Sequence, residues 1–216
     1  MNKNQLREKY GNEQVYVVPY ADTIDIPDGF HPEKVNLARL EKGGKFIYRY
    51  DAEYNEAFCQ LIPYIVLINK GRDKIYVARR KAGDERLTNT LSFFGGHINP
   101  CDGKDLSVIN GAAKRELEEE TEYTPLKETK FDIVGTVREK TSPTKEHLGV
   151  VYVVNVRSAK IRETDTLEGV WMTYEKLIRN YSKFEGWAKK IIDRIFIERK
   201  KNNYFILKGG NADENR

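Results

Sequence analysis

Arg115-Glu116-Leu117-Glu118-Glu119-Glu120 is the stretch of this chain best equipped for chemistry. On a helix, Glu116, Glu119 and Glu120 stand at i, i+3 and i+4, so their carboxylates project as neighbours from one face. Like charges so placed repel by about 0.2–0.5 kcal/mol per exposed pair, and by more when partly buried. A hard divalent cation taking oxygen ligands is the natural compensation. A run of glutamates is ordinarily a solvated face, and helical phase decides between the two readings. At about 100° per residue, Leu106, Ile109, Ala113 and Leu117 share one apolar stripe. Glu120 falls inside that stripe, Glu116 beside it and Glu119 next in line, whereas Glu118 and Glu122 point the other way beside Lys114. A carboxylate bordering a buried stripe is costly unless paired or metal-bound. The phase favours a metal.

Gly96, the Ala112-Ala113 pair and Arg115-Glu116-Leu117-x-Glu119-Glu120 resemble the signature box of the Nudix (MutT-like) hydrolases, G-x5-E-x7-R-E-U-x-E-E-x-G-U with U aliphatic. The second half, R-E-U-x-E-E, matches at every fixed position. Three features depart from it. The interval from Gly96 to the helix is five residues too long, so the segment around Pro100-Cys101-Asp102-Gly103 reads as an inserted loop and is expected to bulge outward as a compact excursion. The first Glu of the box falls at Ser107, with Asp105 as a substitute, and the final Gly is Glu122 followed by Tyr123.

Other segments extend the likeness over about Ala57 to Arg199. Glu168 to Leu177 resembles the strand-to-helix segment that closes many Nudix domains. Gln60 to Tyr64, Gly95 to Pro100, His147 to Val150 and Glu185-Gly186-Trp187 resemble a small subset described, by motif prediction, as MutT-like phosphoesterases.

The resemblance implies a hydrolase that cleaves a diphosphate bond in a nucleoside diphosphate derivative with Mg²⁺ or Mn²⁺. Glu116, Glu119 and Glu120 would be its metal carboxylates, with a backbone carbonyl of Gly95 or Gly96 as a further ligand. Arg115 would hold the box together by pairing with Glu119 or Asp105, the alternative being an ordinary surface ion pair. The general base is Glu116 in the box or an acid from elsewhere, with Glu139, Glu146 and Glu168 as candidates. His97, after the glycine pair, is a lesser candidate for a phosphate or for the metal's surroundings; His147 ranks with it, and His31 lies outside the likeness. Two other classes compete. A catalytically silent Nudix-fold nucleotide sensor would normally have lost a metal carboxylate. An isopentenyl-diphosphate isomerase would need a cysteine after Leu87-Thr88-Asn89-Thr90, where Leu91-Ser92-Phe93 stands.

The elements that must position these residues read as strands around one main helix. Strands are expected at Val15–Tyr20, Lys45–Tyr50, Leu61–Ile68, Lys74–Arg80, Leu91–Phe94, Phe131–Arg138, Leu148–Val156 and Thr166–Met172. Asp25–His31 reads as a turn. The box helix is expected to start at Asp105 or Ser107, with Gly111 an interior cost of about 1 kcal/mol against Ala. Thr173 caps a helix through Ile178, and Phe184–Arg199 is a terminal helix with Trp187, Ile191 and Ile195 on one face. This order suits an α/β fold, a mixed sheet between helices in an α/β/α sandwich, as the resemblance also implies.

The division expected is an N-terminal extension over 1–56, a Nudix domain over 57–199, and a polar tail over 200–216 that is disordered from Lys208. With 39% hydrophobic and 32% charged residues, the chain is globular rather than disordered. A net charge of +4 is too mild to indicate nucleic acid, and Arg79-Arg80-Lys81 reads as solvated surface with an option to face a phosphate. Cys59 and Cys101 form no zinc spacing and suggest a reducing compartment. The polar N-terminus and the shortness of the longest apolar run argue for a cytoplasmic protein without a membrane span. Whether it forms a homodimer stays open.

Overall fold

Strand Phe58–Asn69 (β4) is apolar on both faces, and its ten residues from Cys59 to Ile68 are all buried. A strand like that must be covered from both sides. Ile62, Tyr64, Val66 and Ile68 point toward Tyr174 and Leu177 of helix Tyr174–Arg179 (α5) and toward Trp187, Ile191 and Ile195 of helix Gly186–Lys200 (α6). Leu61, Ile65 and Leu67 point the opposite way, toward Ile109, Ala112, Ala113 and Leu117 of helix Val108–Glu120 (α4). A mixed sheet thus lies between helices, as the sequence predicts. The computed structural model describes residues 2–33, 35–81, 88–104, 107–126, 130–140 and 145–201. Asp105, Leu106 and Leu87, named above, lie outside the described residues, as does the tail from 202 onward.

The remaining strands are Gln14–Pro19 (β1), Gly29–His31 (β2), Lys45–Tyr48 (β3), Lys74–Arg80 (β5), Leu91–Ser92 (β6), Thr121–Pro125 (β7), Phe131–Arg138 (β8), His147–Ile161 (β9) and Leu167–Thr173 (β10). The sheet runs β10-β5-β4-β9-β8-β2, with β1 joining β4, β3 joining β1, β6 joining β5 and β7 joining β9. The central β4–β9 pair is parallel, from Gln60↔His147 to Asn69↔Val156, and the other pairs are antiparallel. Short helices Lys3–Tyr10 (α1), Leu37–Leu40 (α2) and Arg49–Ala52 (α3) decorate the first 56 residues, whose β1 pairs directly with β4.

Several boundaries differ from expectation for identifiable reasons. The segment 25–31 is not all turn: after Pro27-Asp28-Gly29 the chain pairs Gly29–His31 with β8 as a three-residue edge strand. β9 continues past Val156 to Ile161 because Ser158–Ile161 pairs with β7, a polar edge strand that begins directly after α4. Glu122 therefore lies on β7, not on the box helix, where it pairs with Lys160 at 2.6 Å. The terminal helix starts at Gly186, capped by Glu185, which accepts from the Trp187 and Ala188 amides. No helix among the described residues is long and apolar enough to cross a membrane.

Candidate active site

Ser107 caps α4, accepting from the Asn110 amide at 3.2 Å. Its hydroxyl donates to Glu41 at 2.6 Å, and Glu41 also accepts from the Ile109 amide at 3.1 Å, so a carboxylate sits at the positive end of the helix. The inserted segment ahead of α4 does not bulge away. It forms a 3-10 turn, Pro100–Lys104, lying on the helix itself. A Cβ on Gly111 would come 2.5 Å from the Asp102 carbonyl, so this mid-helix glycine is what lets the turn dock.

Docking brings Asp102 to Arg115. The Asp102 side chain is only 3% exposed and accepts from Arg115 Nε at 2.8 Å and Nη2 at 3.0 Å. The same guanidinium donates to Glu116 at 2.7 Å, to Glu119 at 2.9 Å and to the His97 carbonyl at 2.9 Å. Burial opposes its charge, but the Asp102 and Glu116 carboxylates outweigh that and hold it above its ordinary pKa. Arg115 is a five-contact hub and not a surface ion pair. Asp102 is the partner of Arg115 that sequence reasoning missed, because an Asp-Gly pair in an insertion reads only as a turn.

Glu116 and Glu120 turn inward from α4. A Cβ on Gly96 would lie 2.5 Å from Glu116 Oε2, and the Gly95 amide donates to Glu120 Oε2 at 3.2 Å. Gly95 itself has φ +140°, and any side chain there would overlap the Pro63 carbonyl. Burial, then Glu116, pushes the Glu120 carboxyl up to about 8 against the smaller pull of the Gly95 amide. Glu116 is raised too, by burial first. Glu163 and Arg80 also bear on Glu120, and the Arg162 amide donates to the Glu120 carbonyl at 2.8 Å. Glu119, which the helical phase set next in line to the buried stripe, instead faces outward, 54% exposed, toward Arg115. Glu118 is exposed.

The structure does not gather the other candidate bases. Glu168 is on β10 and pairs with Arg79. Glu139 lies against Gly186 at the start of α6. Glu146 is buried just ahead of β9, where its carbonyl accepts from the Gln60 amide. His97 turns its ring toward His147, with centroids 5.6 Å apart. Burial first, then Arg49 and His147, holds the His97 pKa well below the usual histidine value.

Two turned-in glutamates thus sit on a Gly-Gly corner, with Glu116 held by the half-buried Arg115. The NUDIX domain family model matches residues 62–195. The chain belongs to the Nudix family. It is a Nudix-type hydrolase by that membership. Protein YmaB of Bacillus subtilis (strain 168) is 29% identical over 168 residues, covering 73% of this chain and 81% of YmaB. The crystal structure of the provisional Nudix hydrolase Tm1382 superposes with a TM-score of 0.72 at 23% identity, covering 86% of this chain and 99% of Tm1382. That second likeness speaks for the fold.

Proposed function

We propose that this Nudix protein hydrolyses a diphosphate bond in a nucleoside diphosphate derivative, with Mg²⁺ or Mn²⁺ held by Glu116, Glu119, Glu120 and the Gly95 carbonyl. The observation that carries the reading is the inward pair Glu116 and Glu120 on the Gly95-Gly96 corner, two mutually repelling, largely buried carboxylates. An all-oxygen donor set of this kind fits a hard cation that keeps waters and takes substrate phosphates. Such a cation neutralises diphosphate oxygens and lowers the pKa of the attacking water. The chain's own residues do the rest. Arg115 orients Glu116 and Glu119, and the Gly95 amide orients Glu120. Glu116 is the general base favoured by position, being the box carboxylate only 14% exposed and held by Arg115. Arg80, at the end of β5 and close enough to act on Glu120, is suited to meet a substrate phosphate. Free Cys59 and Cys101 suit a reducing, cytoplasmic setting.

The test is a screen of purified protein with Mg²⁺ or Mn²⁺ against nucleoside diphosphate derivatives, followed by Glu119→Gln and Glu120→Gln on whichever substrate turns over. Each variant should lower kcat by about 100-fold or more, the scale of losing one electrostatic stabiliser. Undiminished turnover by either would reject the site. Tight nucleotide binding without any turnover would favour a sensor.

A further inference from the structure

Past β6 the chain runs through Phe93 and Phe94 into the glycine corner and on to His97 and Ile98. Phe94 and Ile98 join the α4 side of the core and Phe93 joins the α5–α6 side. Just past the corner, His97 turns its ring toward the start of β9. There it meets His147, which opens β9 opposite Gln60 in parallel register. Glu53, just past α3 in the N-terminal 56 residues, completes the group. One ligand atom from each of Glu53, His97 and His147 lies within 4.8 Å of the others.

We propose that Glu53, His97 and His147 form a second metal site, for a divalent transition metal of the zinc class, which ties the N-terminal segment to the central sheet. Two imidazoles and one carboxylate suit Zn²⁺, whereas the oxygen-only corner on α4 suits Mg²⁺. Three protein ligands leave a fourth position for water.

Three further observations point to a ligand. His97 Nε2 is buried without a hydrogen-bond partner. Gln60, beside His147 and 1% exposed, satisfies neither the nitrogen nor the oxygen of its side-chain amide. Buried groups left so cost about 1–3 kcal/mol each; a cation uses the imidazole lone pair, and its water gives Gln60 a partner. Glu53 is already oriented, since Arg49 Nε donates to its Oε1 at 3.2 Å while Arg49 Nη1 is neutralised by Glu13 at 2.9 Å. His97 is fixed through its own carbonyl, which accepts from Arg115. Ligands anchored by outer partners are the usual architecture of a protein metal site.

The full chain, stripped with chelator, is titrated with Zn²⁺ in competition with a chromophoric chelator, and separately with Co²⁺ for its visible absorption. The site predicts one equivalent of Zn²⁺ withdrawn from the chromophore, and a Co²⁺ spectrum of low coordination number. Glu53→Gln and His147→Gln should each weaken Zn²⁺ binding by about 10-fold or more and abolish the Co²⁺ band. Glu120→Gln should retain both, which separates this site from the box. Melts in chelator identify which variants fold, and either folded variant decides the matter. No equivalent withdrawn by the parent, or unchanged affinity in the folded variant, overturns the assignment and leaves the three side chains as a polar cluster without a metal.

Discussion

Glu120→Gln should stabilise the metal-free protein, and the size of the effect follows from the site. Glu120 has its pKa raised from 4.5 to about 8, by burial first and then by Glu116. For a carboxyl raised in the folded state, the native protein prefers the protonated form. The stability it confers is complete below about pH 4.5 and is lost as pH rises through about 8. At 1.36 kcal/mol per pKa unit the full loss is about 3–5 kcal/mol, the lower figure allowing for relaxation around the charge. Gln removes the charge, still accepts from the Gly95 amide, and offers an NH₂ toward Glu116. At about 2–4 °C per kcal/mol for a chain of this size, the variant should melt on the order of 10 °C above the parent at pH 9 in chelator, and level with it near pH 4.5. A cation at ~100 Kd should then raise the parent by about 2.7 kcal/mol and the variant by less. Glu116 titrates in both proteins, so only the difference between them is read. Parallel melting curves from pH 5 to 9 would refute the reasoning, and equal responses to Mg²⁺ would place the bound ion elsewhere.

Asp102→Asn should cost about 2–4 kcal/mol in urea unfolding, because it leaves the largely buried Arg115 short of a charge partner. Gly111→Ala tests the docked turn by its sign: helix propensity alone predicts a gain of about 1 kcal/mol, whereas the 2.5 Å approach to the Asp102 carbonyl predicts a net loss of about 1–3 kcal/mol. Glu118→Gln, on the exposed side of α4, should change both kcat and melting temperature little, and a large effect would mean that the helix face is misassigned.

What could be read from the sequence was whatever local periodicity controls. The apolar run around Leu61–Ile68 announced β4, and the phase of Ile109, Ala113 and Leu117 placed Glu116 and Glu120 on the inner side of α4. β7 and the end of β9 were illegible because they are polar strands at a sheet edge, where pairing and not burial holds them. α1 did carry a local signal, the capping box of Asn2 and Gln5, in a segment otherwise too polar to suggest structure. The partner of Arg115 was hidden for another reason. Asp102 reaches it through a lengthened segment, so no fixed spacing could connect the two. Nor could spacing connect Glu53, His97 and His147, which come from three distant segments that meet only in the folded chain, His147 where β9 lies parallel to β4.

That parallel pairing also constrains how the chain can be made. β4 forms its longest register with β9, Gln60 against His147 through Asn69 against Val156, so the most apolar strand waits for one synthesised much later. Until β9 has left the ribosome, β4 has one edge without its eventual neighbour, while β5, the turn of residues 100–104 and α4 must already be set aside. Such distant parallel pairing is slow and leaves nascent chains prone to associate. A ribosome stalled before His147 should therefore expose a sticky intermediate that recruits chaperones, and one stalled beyond Lys200, with the strand cleared from the exit tunnel, should not.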